Sequence, residues 1–177
     1  MSTPKRYNPW LVTIHWLTAL LFILNLLAGT FVLKWLPNEA AKITPLASHM
    51  TIGILILVLT LVRIFVRLTT PAPAHATTGN ALLDKIGILT HYLLYLGALG
   101  LGISGLGIAS QAGLFQSVFG AAGQLPEDFY VFPARYGHGY LANALILLVL
   151  LHIGAALFHQ FVRKDGLLSR MGYGKSQ

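Results

Sequence analysis

Residues 134–163 read ARYGHGYLANALILLVLLHIGAALFHQFVR, an apolar run long enough to cross a bilayer that nevertheless carries three histidines. His138 and His152 are 14 residues apart, and His159 follows 7 later. At 3.6 residues per turn, a 14-residue step returns to within roughly 40° of the same helix face, about 21 Å along the axis. The three imidazoles therefore share one stripe at separate depths. Ionisable side chains at membrane depth are costly and mark function by default. Two histidines at opposite depths on one face suggest two stacked sites.

Three further segments reach spanning length, so the expected helices cover about 10–35, 45–68, 82–109 and 134–162. With 55% hydrophobic and 10% charged residues, these segments lack the polar faces of a soluble helical protein. The expected fold is all-α: a single domain over 1–177 forming an integral membrane four-helix bundle. Lys5 and Arg6 before the first apolar run imitate a signal peptide. That run is too long for an h-region and is read as an uncleaved first helix. Trp10 and Trp35 fall near its ends, where aromatic belts sit. Glycines 97, 100, 102, 105 and 107 in the third segment suit close helix packing.

Charge sets the expected orientation. Lys5, Arg6, Arg63, Arg67, Lys85, Arg163, Lys164, Arg170 and Lys175 fall at the N-terminus, the second connection and the C-terminus. Only Lys34, Lys42 and Arg135 fall on the other side, alongside Glu39, Glu127 and Asp128. The positive-inside rule then places both termini in the cytoplasm. The net charge of +7 is a topology signal, and nothing supports nucleic-acid binding. With no cysteine, the chain forms no disulfide, thiolate metal site or covalent haem attachment. The linker 69–80, containing His75, is expected to be a solvated cytoplasmic loop. In the long outer connection 111–133, GLFQSVFG is expected as a short amphipathic piece, and the remainder as a cap over the bundle.

The histidines pair by depth. His49 and His138 lie near the outer ends of helices 2 and 4. His15 lies in the inner part of helix 1, and His152 about 16 Å from the inner end of helix 4. Each pair joins helix 4 to another helix, the way two imidazoles hold a haem. A di-iron site needs Glu-x-x-His motifs. No Asp or Glu is expected inside the four helices, which argues against that site and against a cation or proton transporter. Arg63 lies 14 residues past His49 on nearly the same face, while Arg67 is read as snorkelling to lipid headgroups.

The segments TIHWLTALL, SHMTIGILILVLTLVRIFVR, HYLLYL and GHGYLANALILLVLLHIGAALFHQFV resemble the prokaryotic cytochrome b561 family, over essentially the whole chain. The resemblance implies two haem b groups. His15 and His152 would ligate one on the cytoplasmic side, and His49 and His138 the other on the outer side. It also implies a multi-pass protein of the bacterial inner membrane that exchanges electrons with quinone. The compact form is similar to the superoxide-oxidising type, implying an oxidoreductase that passes electrons from periplasmic superoxide to ubiquinone and yields oxygen and ubiquinol. The competing expectation is a cytochrome b subunit that relays electrons between a periplasmic dehydrogenase or hydrogenase partner and the quinone pool. On the first reading His159, with His91 as the second choice, is expected at a cytoplasmic quinone site. Arg63 is expected to pair with the inner haem propionate. Arg135, three residues before His138 at the positive end of helix 4, is expected to steer superoxide.

Overall fold

The computed structural model describes residues 5–75, 77–120 and 123–173. Asn8 opens the first span: its side chain accepts the Trp10 amide at 2.9 Å, and Pro9 takes the first helical position, where a missing N–H costs nothing. α1 (Pro9–Leu27) runs on into a π-helical stretch, Ala28–Leu33. α2 spans Ala40–Thr69, α3 Ala81–Gln111 and α4 Pro133–Phe158. α4 continues as a π-helical turn, His159–Arg163. All four are long and apolar enough to cross a membrane. The described residues contain no strand, so the all-α four-helix architecture stands as expected.

Two details differ from the sequence reading. α2 begins at Ala40, so Pro45 lies inside the helix and does not mark its start. The added turn is held by Lys42, whose amide donates to the Glu39 carbonyl at 2.9 Å. Its Nζ donates to the Leu36 carbonyl and to Asn38 Oδ1, both at 2.8 Å. The second correction is Asp84, a carboxylate inside α3, in its first turn. It accepts from the Thr78 amide and hydroxyl, both at 2.7 Å, and from the Thr77 hydroxyl at 3.0 Å. Asp84 thus ties the second connection to a helix N-terminus, where a negative charge is favoured.

Successive helices pack side by side, α3 with α4 most extensively. Glycine explains the close contact. A Cβ on Gly97 would lie 2.7 Å from Leu145 Cδ2, and one on Gly102 would lie 2.9 Å from Leu57 Cδ1. Phe22, Ile56 and Leu145 form the mid-bundle core. At the end remote from the termini, here the far end, Leu114 and Phe129 of the long connection pack with Leu33, Leu46, Ile108 and Ala109. The connection therefore caps the bundle, while Phe115 and Phe119 of its short π-helical turn stay exposed. Trp10 and Trp35 are also exposed, at opposite ends of the first span.

At the terminal end, residues 164–173 form a strap across the bundle. Trp16 Nε1 donates to the Met171 carbonyl at 2.8 Å, and Arg170 Nη1 to the Ala74 carbonyl at 2.7 Å. The Tyr7 amide donates to the Arg170 carbonyl at 3.1 Å, and the Thr13 and Tyr173 hydroxyls meet at 2.7 Å. Arg163 Nη1 reaches the Thr78 carbonyl at 2.9 Å. The strap joins the start of α1 to the second connection and to the end of α4.

Candidate cofactor sites

The depth-matched histidines meet. His15 of α1 and His152 of α4 have ring centroids 6.3 Å apart at 78°, near the terminal end. His49 of α2 and His138 of α4 are also 6.3 Å apart, at 72°, near the far end. An imidazole nitrogen sits about 2.0 Å from a metal, with the ring centroid about 1.1 Å behind it. Two imidazoles on opposite sides of one metal therefore have centroids about 6.2 Å apart. Both pairs fit that separation.

The far-end pair opens into a cavity of about 760 Å³ lined by Asn25, Gly29, His49, Gly53 and His138, with Lys42 and Arg135 also in its wall. Glycine lets the rings lie against neighbouring backbone: a Cβ on Gly29 would come within 3.1 Å of His49 Cε1, and one on Gly105 within 3.3 Å of His138 Cε1. Hydrogen accounting fixes the His138 tautomer. Ser104 Oγ donates its one hydrogen to the Leu101 carbonyl at 2.9 Å, so it accepts from His138 Nδ1–H at 3.1 Å. Nε2 is then the unprotonated nitrogen, free to ligate. His49 Nδ1 and Asn25 Oδ1 are buried without partners, and such atoms suit a pocket shaped for an occupant.

Lys42 and Arg135 meet no acidic partner among the described residues. The Arg135 guanidinium lies 4.8 Å from the Tyr130 ring centroid and donates to its hydroxyl at 3.4 Å. Asp128, the nearby acid, spends Oδ1 on the Tyr130 amide at 2.7 Å.

At the terminal-end pair a third imidazole intervenes. His91 of α3 lies 5.1 Å from His152, edge to face, and its Nδ1–H donates to the Gly87 carbonyl at 2.7 Å. Arg63 stacks on Tyr95, 4.9 Å from the ring centroid, and its buried Nε has no partner. A buried guanidinium with a spare donor suits a carboxylate such as a haem propionate. Arg67 stacks on Tyr7 at 5.8 Å, and His75 is exposed in its loop.

His159 is not part of this pair. It is buried seven residues beyond His152, and its Nδ1 lies 2.6 Å from Asp165 Oδ2. The carboxylate only accepts, so Nδ1–H donates and Nε2 is left for another group. Burial works to raise the Asp165 carboxyl, but the hydrogen bonds from His159 and the Leu167 amide, with the Arg163 charge, hold it below the usual carboxylate range. Sequence reasoning missed Ser104 and Asp165. Each meets its histidine through tertiary folding, and no local spacing signals either contact.

Among the described residues no cluster of three or more His, Cys, Asp or Glu is placed to hold a bare metal ion. Two imidazoles per site suit a metal whose other ligands come from a macrocycle. Residues 6–174 match the profile of the family described as prokaryotic cytochrome b561. Cytochrome b562 of Cereibacter sphaeroides is 33% identical over 175 residues, 97% of this chain and 98% of that protein. Cytochrome b561 homolog 2 of Escherichia coli is 32% identical, covering 99% of this chain and 95% of its own. A protein named probable superoxide oxidase CybB, from Yersinia pestis, is 30% identical, covering 94% and 96%.

Proposed function

The chain belongs to the prokaryotic cytochrome b561 family, membrane haem proteins of electron transfer, and from that premise we propose that it oxidises superoxide outside the membrane and reduces ubiquinone on the cytoplasmic side. The observation that carries this reading is the repeated 6.3 Å histidine pair at opposite ends of α4. Two haem b groups would be held there, one by His49 and His138, the other by His15 and His152. Bound haem supplies a reversible one-electron carrier at each site.

The residues divide the remaining work. Ser104 holds His138 with Nε2 aimed away from its hydrogen bond, and the buried Arg63, with its spare Nε–H, would meet a propionate at the second site. The strap end faces the cytoplasm, on the positive-inside argument. Superoxide scarcely crosses a bilayer, so it is met at the far end, where Lys42 and Arg135 line the cavity beside Glu127 and Asp128 without forming an ion pair with either. Two superoxide ions each give one electron and leave as oxygen. One ubiquinone takes two electrons and two protons near His159 and leaves as ubiquinol.

The test is a superoxide pulse in stopped flow on the purified protein, with haem quantified per chain. Two haems per chain, reduced by superoxide and reoxidised by ubiquinone, is the expected result. Haems that stay oxidised would overturn the superoxide reading in favour of a relay subunit for a periplasmic dehydrogenase or hydrogenase.

A further inference from the structure

We propose that Asp165 is a positioning residue that makes His159 the proton donor to a ubiquinone oxygen, an inference that rests on the quinone reading above. The chain takes unusual steps to bring the two together. In a continuing helix, a residue six positions beyond His159 would lie about 240° around the axis and about 9 Å along it. Instead the chain turns at Lys164, in the left-handed region at φ 54° and ψ 34°, and again at Gly166, at φ 72° and ψ 15°. A left-handed lysine costs roughly 1–2 kcal/mol. The turn returns the Asp165 carboxylate to its own helix end, 2.6 Å from His159 Nδ1.

The carboxylate is then fixed from several sides. Arg163 Nε lies 3.5 Å from the same oxygen, and the Leu167 amide donates to the other at 3.1 Å. Arg163 is itself anchored on the Thr78 carbonyl. The other charged groups nearby are Asp84 in the first turn of α3, which feels the Arg163 charge, and Arg170 on the strap, engaged with Ala74. From α2, Arg67 is stacked on Tyr7, while His152 on α4 and His91 on α3 lie deeper. Asp165 is therefore the acid that answers His159.

Two consequences follow. Nδ1 keeps its proton, so Nε2 is the nitrogen that exchanges one. The carboxylate also offsets the charge that the buried imidazole carries while it holds a second proton. Asp165 is held in its ionised form by the same contacts. One quinone oxygen takes a proton from Nε2 and the other takes one from the aqueous phase, while two superoxide ions supply the two electrons. His159 regains its proton from the aqueous phase, beside which the Asp165 side chain is 31% exposed.

The experiment uses purified holoprotein and a short-chain ubiquinone, with haem reoxidation followed by stopped flow from about pH 6 to about pH 8. Asp165→Asn is expected to keep its haem spectrum and its reduction by superoxide. Its reoxidation by ubiquinone should slow by about tenfold or more at the alkaline end, with a smaller deficit at the acid end. Asp165→Glu should restore most of the rate. If His159→Ala is slow and Asp165→Asn is not, Asp165 positions nothing and the proposal falls. Equal, pH-independent loss in the Asn and Glu variants would assign Asp165 to packing and would also overturn it. If His159→Ala reduces ubiquinone at the parent rate, the site reading fails first and takes the proposal with it.

Discussion

Replacing Ser104 by Ala should raise the reduction potential of the far-end haem and leave the other unchanged. Ser104 Oγ accepts from His138 Nδ1–H at 3.1 Å while donating to the Leu101 carbonyl at 2.9 Å. With a haem iron on Nε2, that bond would draw the Nδ1 proton away from the ring and make Nε2 a stronger donor, which favours the oxidised metal. Its loss removes one acceptor near Nδ1–H in both redox states, leaving the Leu101 carbonyl, and that common cost in stability cancels from the potential. Only the difference between states remains. Taking that difference as comparable to one net hydrogen bond, about 0.5–1.5 kcal/mol, gives an upward shift of roughly 20–65 mV for a one-electron couple. Potentiometric titration of the purified protein, resolving the two haems, measures it. An unmoved potential, or a shift at the His15–His152 site, would refute the tautomer argument.

Further outcomes follow from the same geometry. His49→Ala should halve the haem content and spare the terminal-end haem, measured by pyridine haemochrome per chain; loss of both would show that the sites are not independent. Arg135→Ala should slow haem reduction by superoxide by about tenfold at low ionic strength and flatten its salt dependence. Gly97→Ala puts a Cβ 2.7 Å from Leu145 Cδ2, where Leu145 is only 1% exposed, so it should cost about 1–3 kcal/mol in thermal unfolding. The Asp165 carboxyl is held below its ordinary value of about 4. Its contribution is therefore complete above that value and lost as pH falls through the folded one. Asp165→Asn should remove that part of the acid sensitivity of the strap, read by proteolysis of the C-terminal segment.

Helix 4 was legible because its information is local. Two histidines 14 residues apart on a spanning helix fix their shared face and their separate depths through the helix period alone. Their partners were legible by the same argument of depth: His49 belongs with His138 because both lie near one end, and His15 with His152 because both lie near the other. The glycines of α3 were also legible as packing residues, and Gly97 and Gly102 meet Leu145 and Leu57. What failed was confined to helix ends. Pro45 reads as a start signal, yet the hydrogen bonds of Lys42 carry the helix back to Ala40. Asp84 was overlooked as an acid within the third helix, where it sits in the first turn and binds the preceding loop.

The contacts that tune the histidines were illegible for a different reason. Ser104 reaches His138 from another helix, and its role depends on where its single hydrogen goes, which no spacing records. Asp165 lies six residues from His159, a distance that looks local and is not, because a helix would carry it to the wrong side. The sequence around it, RKDG, reads as a basic tail leaving the membrane. Only the left-handed turn at Lys164 converts that tail into a strap with its one acid folded inward. The facing of histidines set by helix period can thus be read from a chain, whereas the groups that decide which nitrogen holds a proton depend on a neighbouring helix or on a turn that defies local preference.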